Sequence, residues 1–454
     1  MEAQENKVPR RILSSLMNSL SAGVVPRMGA PYVAIGRSDE ISALLDDLEE
    51  INEGGSAMRF IIGKYGSGKS FLMQLVRGYA LERGFVTADA DLSPERRICG
   101  GKGSGLATYR ELMKNIAVKT SPDGGALSQL PARYFTALQS ECVAQGLEPG
   151  SPELLAAVKK KIYALTRELE DQIGGFDFAM VLHAYYEALS GEGEEAERKK
   201  SACIRWLRGE FTTKTEARAQ LAVSGIIDDE NWFDYLKLWA VFVRRIGYRG
   251  LVVFIDECVN LYKIPNRVSR ENNYEKLLSM FNDALQGRSP GLALVLGGTP
   301  QFLEDPRRGL FSYEALRSRL CDGQFASAGF KNTAGPVIRL RRLSDDELYA
   351  LLERVNKLWG QYYGCAAPLG EEEMSAFLRF CLERAGADTL ITPREILRDY
   401  ITVLNILRQN PDASFADVMG SDAVTLRHDD ADADVLDGGA PADRPDFSPD
   451  EIEI

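Results

Sequence analysis

Eight residues constrain this chain more than any others: Gly63-Lys64-Tyr65-Gly66-Ser67-Gly68-Lys69-Ser70, which fit G-x-x-x-x-G-K-[ST] in full. The apolar Phe60-Ile61-Ile62 precedes them, and a helix-compatible run opens at Phe71. The motif therefore sits between a buried strand and a helix start. Its glycines let the backbone curl until successive N–H groups face one anion, and the helix N-terminus adds partial positive charge. Lys69 is placed to reach the β- and γ-phosphates of a nucleoside triphosphate, and the Ser70 hydroxyl to ligate Mg²⁺. The alternative is a plain glycine turn before a helix. The strand lies where the motif requires one, which favours phosphate binding.

A second stretch supplies the other half of such a site. Gly250-Leu251-Val252-Val253-Phe254-Ile255-Asp256-Glu257 is a run of apolar residues ending in two carboxylates. It reads as a buried strand that delivers acids at its carboxyl end, where open α/β sheets bind ligands. Asp256 suits the coordination shell of Mg²⁺, and Glu257 suits polarisation of an attacking water. Taken alone, an apolar strand ending in Asp-Glu is equally a helix cap. Leu292–Pro300 reads as another buried strand ending in a polar residue. Thr299 there is either a residue that orients water or the γ-phosphate, or a turn threonine. Arg307-Arg308, Arg317 and Arg319 precede a further strand at Pro336–Leu340. An arginine offered to a neighbouring subunit's nucleotide would stabilise transition-state charge, although surface ion pairs are the commoner fate of such residues.

Around these strands the helix and strand patterns alternate, which predicts βαβ units and a parallel sheet. Ser38 reads as the N-cap of a helix carrying Ile41, Leu44, Leu45 and Leu48 on one face. From about Arg97 to Ala240 the apolar residues recur at helical spacing, so a large helical insertion is expected between sheet strands. Its lysine runs, Lys159-Lys160-Lys161 and Lys199-Lys200, read either as solvated helix faces or as a phosphate-backbone contact. Ser344-Asp345-Asp346-Glu347 and Thr392-Pro393-Arg394-Glu395 are capping boxes that open C-terminal helices. Arg394 in a first helical turn opposes the helix dipole and hints at a facing anion. The expected divisions are 1–96 and 241–342 for the two parts of the sheet core, 97–240 for the insertion, 343–420 for the C-terminal helices and 421–454 for an acidic tail.

Composition bounds the rest. The 454 residues are 45% hydrophobic and 26% charged, as in an ordinary globular protein. Of the net charge of −12, Asp429–Ile454 holds −9, with ten acids and one arginine. That tail reads as disordered and the body as nearly neutral. Seven scattered cysteines without a C-x-x-C, and an N-terminus without a signal-peptide core, predict a reduced, cytoplasmic protein with no membrane segment. Two histidines make a histidine metal site improbable.

These pieces resemble an AAA+ ATPase. Gly36-Arg37-Ser38-Asp39-Glu40 is similar to the Gly-Arg-x-x-Glu box of the origin-recognition and helicase-loader clade, Gly63–Ser70 to its Walker A and Val252–Glu257 to its Walker B. The resemblance implies a strip including Gly36 and Arg37 that covers adenine, and nucleotide contacts from Gly63 through Phe71. It also implies sensor 1 at Thr299, an arginine finger at Arg317 or Arg319, and sensor 2 at Arg394 on a helical lid. A closer resemblance rests on Trp206-Leu207-Arg208-Gly209-Glu210, Asp256-Glu257-Cys258-Val259-Asn260-Leu261-Tyr262, Asn282-Asp283-Ala284-Leu285-Gln286-Gly287, Gly297-Gly298-Thr299-Pro300 and Glu304-Asp305-Pro306-Arg307-Arg308-Gly309. Together these are similar to the BREX-type ATP-binding proteins of the BrxC/BrxD group, over roughly Ala22 to Gln409.

The resemblance implies a homo-oligomeric ATPase that uses ATP and Mg²⁺. It would couple hydrolysis to DNA or a helicase or nuclease partner in anti-phage defence. The clade usually appends a winged-helix DNA-binding domain; the stretch after Asn410 is short and reads mostly as disordered, so DNA contact is expected from the ATPase ring, the insertion or a partner. Two alternatives stand beside this: a nucleotide-gated switch with slow turnover that recruits an effector, and an acidic tail that mimics nucleic-acid charge.

Overall fold

The structure is a computed structural model that describes residues 7–169, 172–322, 332–366, 368–384 and 391–420. The acidic stretch 421–454 lies outside the described residues. The chain divides into two compact units, Met1–Thr402 and Val403–Ile454.

Five strands form one parallel sheet: β1 (Ala57–Gly63), β2 (Val86–Asp91), β3 (Leu251–Asp256), β4 (Leu292–Gly298) and β5 (Val337–Leu340). Their order is β2-β3-β4-β1-β5, so β4 separates the strand of the glycine loop from the strand of the paired acids. The helices before the insertion are α1 (Arg10–Ser21), α2 (Ser38–Asn52) and α3 (Lys69–Glu82). Between β2 and β3 come α4 (Ser104–Lys114), α5 (Gln129–Ala144), α6 (Pro152–Leu169), α7 (Gly175–Ser190), α8 (Glu194–Leu207), α9 (Lys214–Leu221) and α10 (Trp232–Arg245). After β3 lie α11 (Val259–Tyr262), α12 (Arg267–Leu285), α13 (Pro300–Glu304) and α14 (Glu314–Leu320). The C-terminal helices are α15 (Asp345–Tyr363), α16 (Glu371–Arg384), α17 (Pro393–Gln409) and α18 (Phe415–Gly420).

The two-residue period of the strands assigns their faces. Met58, Phe60 and Ile62 of β1 join Val253 and Ile255 of β3 and Leu294 and Leu296 of β4 in one core. The intervening Ala57, Ile61, Val252, Phe254, Ala293 and Val295 join Leu44, Leu48, Leu72 and Val76 of α2 and α3 in the other. The strands are buried on both faces, as a parallel sheet requires. The first core runs on without interruption into the helical insertion and α12. The insertion's own centre is aromatic. Trp239 meets Phe178 edge to face at 5.2 Å, and its Nε1 donates to the Tyr109 hydroxyl at 3.1 Å, which itself donates to the Leu207 carbonyl at 2.8 Å. The polar tips of Trp239 and Tyr109 thus both have a partner, as large amphipathic rings need in a core.

Four of the five lysines in the insertion's runs are paired with acids. Lys159 and Lys199 both reach Glu187, at 3.0 and 3.2 Å, while Lys161 pairs with Glu141 and Lys200 with Glu197. These are solvated helix faces held by local ion pairs. The apolar strip expected before α2 forms a short 3₁₀ turn at Ala30–Val33. α2 begins at Ser38 itself, with Arg37 in the cap position and no side-chain cap, which corrects the reading of Ser38 as N-cap. Both C-terminal capping boxes form. Glu347 N–H donates to Ser344 Oγ at 3.3 Å, and Glu395 N–H to Thr392 Oγ1 at 3.3 Å. In the second unit the described residues end in α18, whose start is closed by Ser414 and Asp417, with Ser414 Oγ donating to Asp417 Oδ2 at 2.6 Å.

One ion pair fixes β1 against α2. Arg59 donates to both carboxylate oxygens of Asp47, at 2.7 and 2.6 Å, and its Nη1 donates to the carbonyls of Thr333, Ala334 and Gly335. The two side chains are 13% and 9% exposed. Removing the acid would leave a guanidinium buried without its counter-charge. We expect Asp47→Ala to destabilise the chain by about 3 kcal/mol, read as a lowered denaturant midpoint for loss of sheet structure.

Candidate nucleotide site

The site is built along the carboxyl edge of the sheet. β1 delivers the glycine loop there, β3 delivers Asp256, and β2 ends beside it with Asp91 in register with Asp256. Gly66 and Gly68 take left-handed backbone angles, φ 72° and 86°, and let the loop turn back onto the start of α3. Lys69 Nζ donates to the loop carbonyls of Gly63 and Lys64 at 2.9 and 3.2 Å. Burial lowers its pKa, and the nearby Asp256 and Glu257 partly offset this. Lys64 and Tyr65 form the exposed tip of the loop, and Ser67 is buried beneath it. Phe71, half-buried, lies in the first turn of α3.

The two halves of the site meet in one contact: Ser70 Oγ donates to Asp256 Oδ2 at 2.6 Å. The other Asp256 oxygen, Oδ1, accepts the Glu257 N–H at 2.8 Å. Glu257 holds a left-handed φ of 56°, rare for a residue with a side chain. Asn260 supports that turn, with Nδ2 donating to the Glu257 carbonyl at 3.2 Å and to the Leu92 carbonyl at 2.9 Å. Desolvation, then the charges of Asp256 and Asp91, raise the Glu257 pKa, while Lys69 opposes them. Desolvation and Asp256 likewise raise that of Asp91. A cleft of about 260 Å³ opens here, lined by Ser70, Gln74, Asp91, Asp256, Glu257 and Arg27.

Other expected site residues are placed as follows. Thr299 follows β4 and caps α13, its Oγ1 accepting the Phe302 N–H at 3.3 Å. The hydroxyl keeps its own proton to donate. Arg317 and Arg319 are exposed in the last turn of α14. Arg317 lies 4.0 Å from Glu314, and Arg319 donates to the Ala315 carbonyl of its own helix at 2.7 Å. Arg394 is exposed in the first turn of α17, with its aliphatic stem beside Gly23. Gly36 (φ 69°) packs against the Glu347 carboxylate, so it has no room for a side chain. Arg37 is buried, and its Nη2 donates to the Ser67 carbonyl at 2.8 Å. The structure thus brings together Lys69, Ser70, Asp256 and Glu257, and places Arg37 on the loop's inner side.

Sequence reading missed Arg27, Asp91, Asn260 and Thr392. Nothing in the sequence around Arg27 marks it, and Asp91 lies inside Phe85–Leu92, which reads only as a strand. Asn260 has a local signal, three residues beyond Glu257. Thr392 was seen only as a cap, yet its side chain lies on Gly66, where any Cβ would collide with it.

A parallel sheet flanked by helices, with a glycine loop and paired acids on its carboxyl edge, defines an α/β protein consistent with the phosphate-loop nucleotide-binding class. The chain belongs to the BREX system ATP-binding protein BrxC/D family, whose model matches residues 8–423. Membership supports ATP as the ligand and a role in BREX anti-phage defence. No curated protein matched the sequence. Among the described residues no helix is long and apolar enough to cross a membrane, and no group of three or more His, Cys, Asp or Glu could hold a metal by itself.

A Cβ at Gly297 would collide with Asp256 Oδ1 and with Met73 Sδ. Gly297→Ala should therefore push the Asp256 carboxylate off Ser70. The expected result is a loss of Mg²⁺-dependent ATP affinity of about tenfold, ~1.4 kcal/mol. Titration of a fluorescent ATP analogue with and without Mg²⁺ checks it.

Proposed function

We propose that the chain is an AAA+ ATPase that hydrolyses ATP and passes the resulting conformational change to DNA or to a helicase or nuclease partner in its BREX system. The observation that carries the hydrolytic reading is the 2.6 Å contact of Ser70 with Asp256, which sets Glu257 immediately beside the phosphate loop. A hydroxyl and a carboxylate are hard oxygen donors, and Mg²⁺ takes few protein ligands when phosphates and waters complete its shell. The pair therefore fits Mg²⁺, which when bound would neutralise charge on the phosphates. Lys69 and the loop amides hold phosphate oxygens. Glu257 accepts the proton of a water whose oxygen bonds to the γ-phosphorus, and the bond from that phosphorus to the bridging oxygen breaks, with ADP as leaving group. The hydroxyl of Thr299 orients that water.

Arg317 and Arg319, exposed on α14, act across a homo-oligomer interface. Arg394 reads the nucleotide from a helical lid, a role supported by the seating of the neighbouring Thr392 on Gly66. With four of the insertion's five run lysines ion-paired, DNA contact falls to other surfaces or to a partner.

Glu257→Gln should lower turnover by about 10² or more while ATP still binds; turnover like that of the wild-type chain removes Glu257 as the base. The base works ionised, and its raised pKa means it protonates at higher pH than an ordinary carboxylate as pH falls. The acid limb of the kcat/KM profile, which reports the free enzyme, should therefore lie at higher pH than for an ordinary glutamate. Asp91→Asn, which removes one of the charges that raise it, should move that limb to lower pH.

The arginine roles predict assembly with ATP. Sedimentation with and without ATP and DNA, alongside turnover, tests them. A monomer at full turnover excludes an arginine in trans, and DNA-stimulated turnover separates the motor from a slow nucleotide switch.

A further inference from the structure

Three buried polar atoms at the underside of the glycine loop make no hydrogen bond: Arg37 Nη1, Glu40 Oε2 and Ser67 Oγ. The first belongs to a guanidinium that touches the loop from inside, the second to the carboxylate of its ion-pair partner and the third to the loop residue whose carbonyl it reaches. Arg37 is 5% exposed. Its Nη2 donates to the Ser67 carbonyl at 2.8 Å and to the Arg341 carbonyl at 2.6 Å, and its Nη1 lies 3.6 Å from Glu40 Oε1. Burial lowers the pKa of the group, and Glu40 opposes that effect. A charge kept in so dry a place is costly unless it is paired and hydrogen-bonded.

The Arg37 guanidinium spends its hydrogen bonds on two main-chain carbonyls, one of them inside the phosphate loop. A trans peptide plane points its C=O and its N–H in opposite directions. With the Ser67 carbonyl held inward, the Gly68 N–H faces out of the loop. Gly68 has the left-handed φ of 86° that lets α3 begin directly after it. The Gly68 amide is then one of the donors that an anion at this helix start would meet.

We propose that Arg37 is a positioning residue for phosphate binding, whose buried guanidinium pins the Ser67 carbonyl inward and so aims the Gly68 amide at the phosphates, rather than a contact to the adenine base. This rests on reading Gly63–Ser70 as a phosphate loop. The fork of a guanidinium serves two carbonyls at once; a lysine ammonium reaches the same place as a point charge and holds them less well.

The test compares two ligands on the full chain. ATP and inorganic tripolyphosphate are competed against a fluorescent ATP analogue, for the wild-type chain, Arg37→Ala, Arg37→Lys and Glu40→Gln. Arg37→Ala should weaken both ligands by the same factor, about tenfold or more, the scale of one charge-assisted hydrogen bond. Arg37→Lys should recover part of that loss for both ligands alike, and Glu40→Gln should show a smaller parallel loss. A role in folding alone would lower the melting temperature and leave the affinities of the folded protein unchanged, which overturns the proposal. Weakened ATP with unchanged tripolyphosphate overturns it in favour of a base contact. If Arg37→Ala does not fold, parallel loss in Arg37→Lys and Glu40→Gln carries the decision. The phosphate-loop reading fails separately, if Lys69→Ala leaves both ligands bound as in the wild-type chain.

Discussion

The hydrogen bond from Ser70 to Asp256 joins residues 186 positions apart, and the candidate site depends on it. Neither residue has a defined role without the other. Ser70 opens α3 behind the glycine loop, and Asp256 closes the strand two places away in the sheet. Their meeting requires β4 to hold β1 and β3 in register, with Phe60 opposite Leu296 and Leu296 opposite Ile255. Gly297, the next residue of β4, supplies the space beside the carboxylate. The sheet is thus a ruler that sets the separation of loop and acids, and its burial on both faces makes the ruler stiff.

The helical insertion departs from the sheet between β2 and β3 and returns to the same hydrophobic core. Its aromatic centre, with Trp239 and Phe178, is continuous through α12 with the face of the sheet that carries Phe60 and Ile255. Close-packed interiors transmit displacement rather than absorb it. A partner seated on the insertion would therefore act on the face behind the site through packed side chains. On the opposite face, α2 and α3 form a smaller core of their own.

Local spacing was the legible part of the sequence. The glycine loop, the apolar strand ending in Asp-Glu and the two C-terminal capping boxes are each written within about ten residues, and each forms where its pattern lies. The seat of Arg37 was not legible, since its two acceptors lie 30 and 304 residues away. Nothing in Gly36-Arg37-Ser38 says that the side chain turns under the loop instead of towards a nucleotide base. Thr299 shows the intermediate case. Thr-Pro is a helix-start pattern as much as a site pattern, and the oxygen does cap α13. Asp91 needed the sheet order, and Arg27 the course of the chain after α1, before they could be placed on the same cleft as Glu257.

The left-handed backbone at Glu257 has a consequence for how such a chain can change. A non-glycine residue there carries strain on the order of 1–3 kcal/mol. Glycine would relieve it fully and asparagine in part, yet neither offers a carboxylate. Stability and proton acceptance thus pull residue 257 towards different amino acids. Redesign guided by folding energy alone would drift to a sturdier loop-and-sheet scaffold that keeps its nucleotide seat and has lost the group proposed to discharge it.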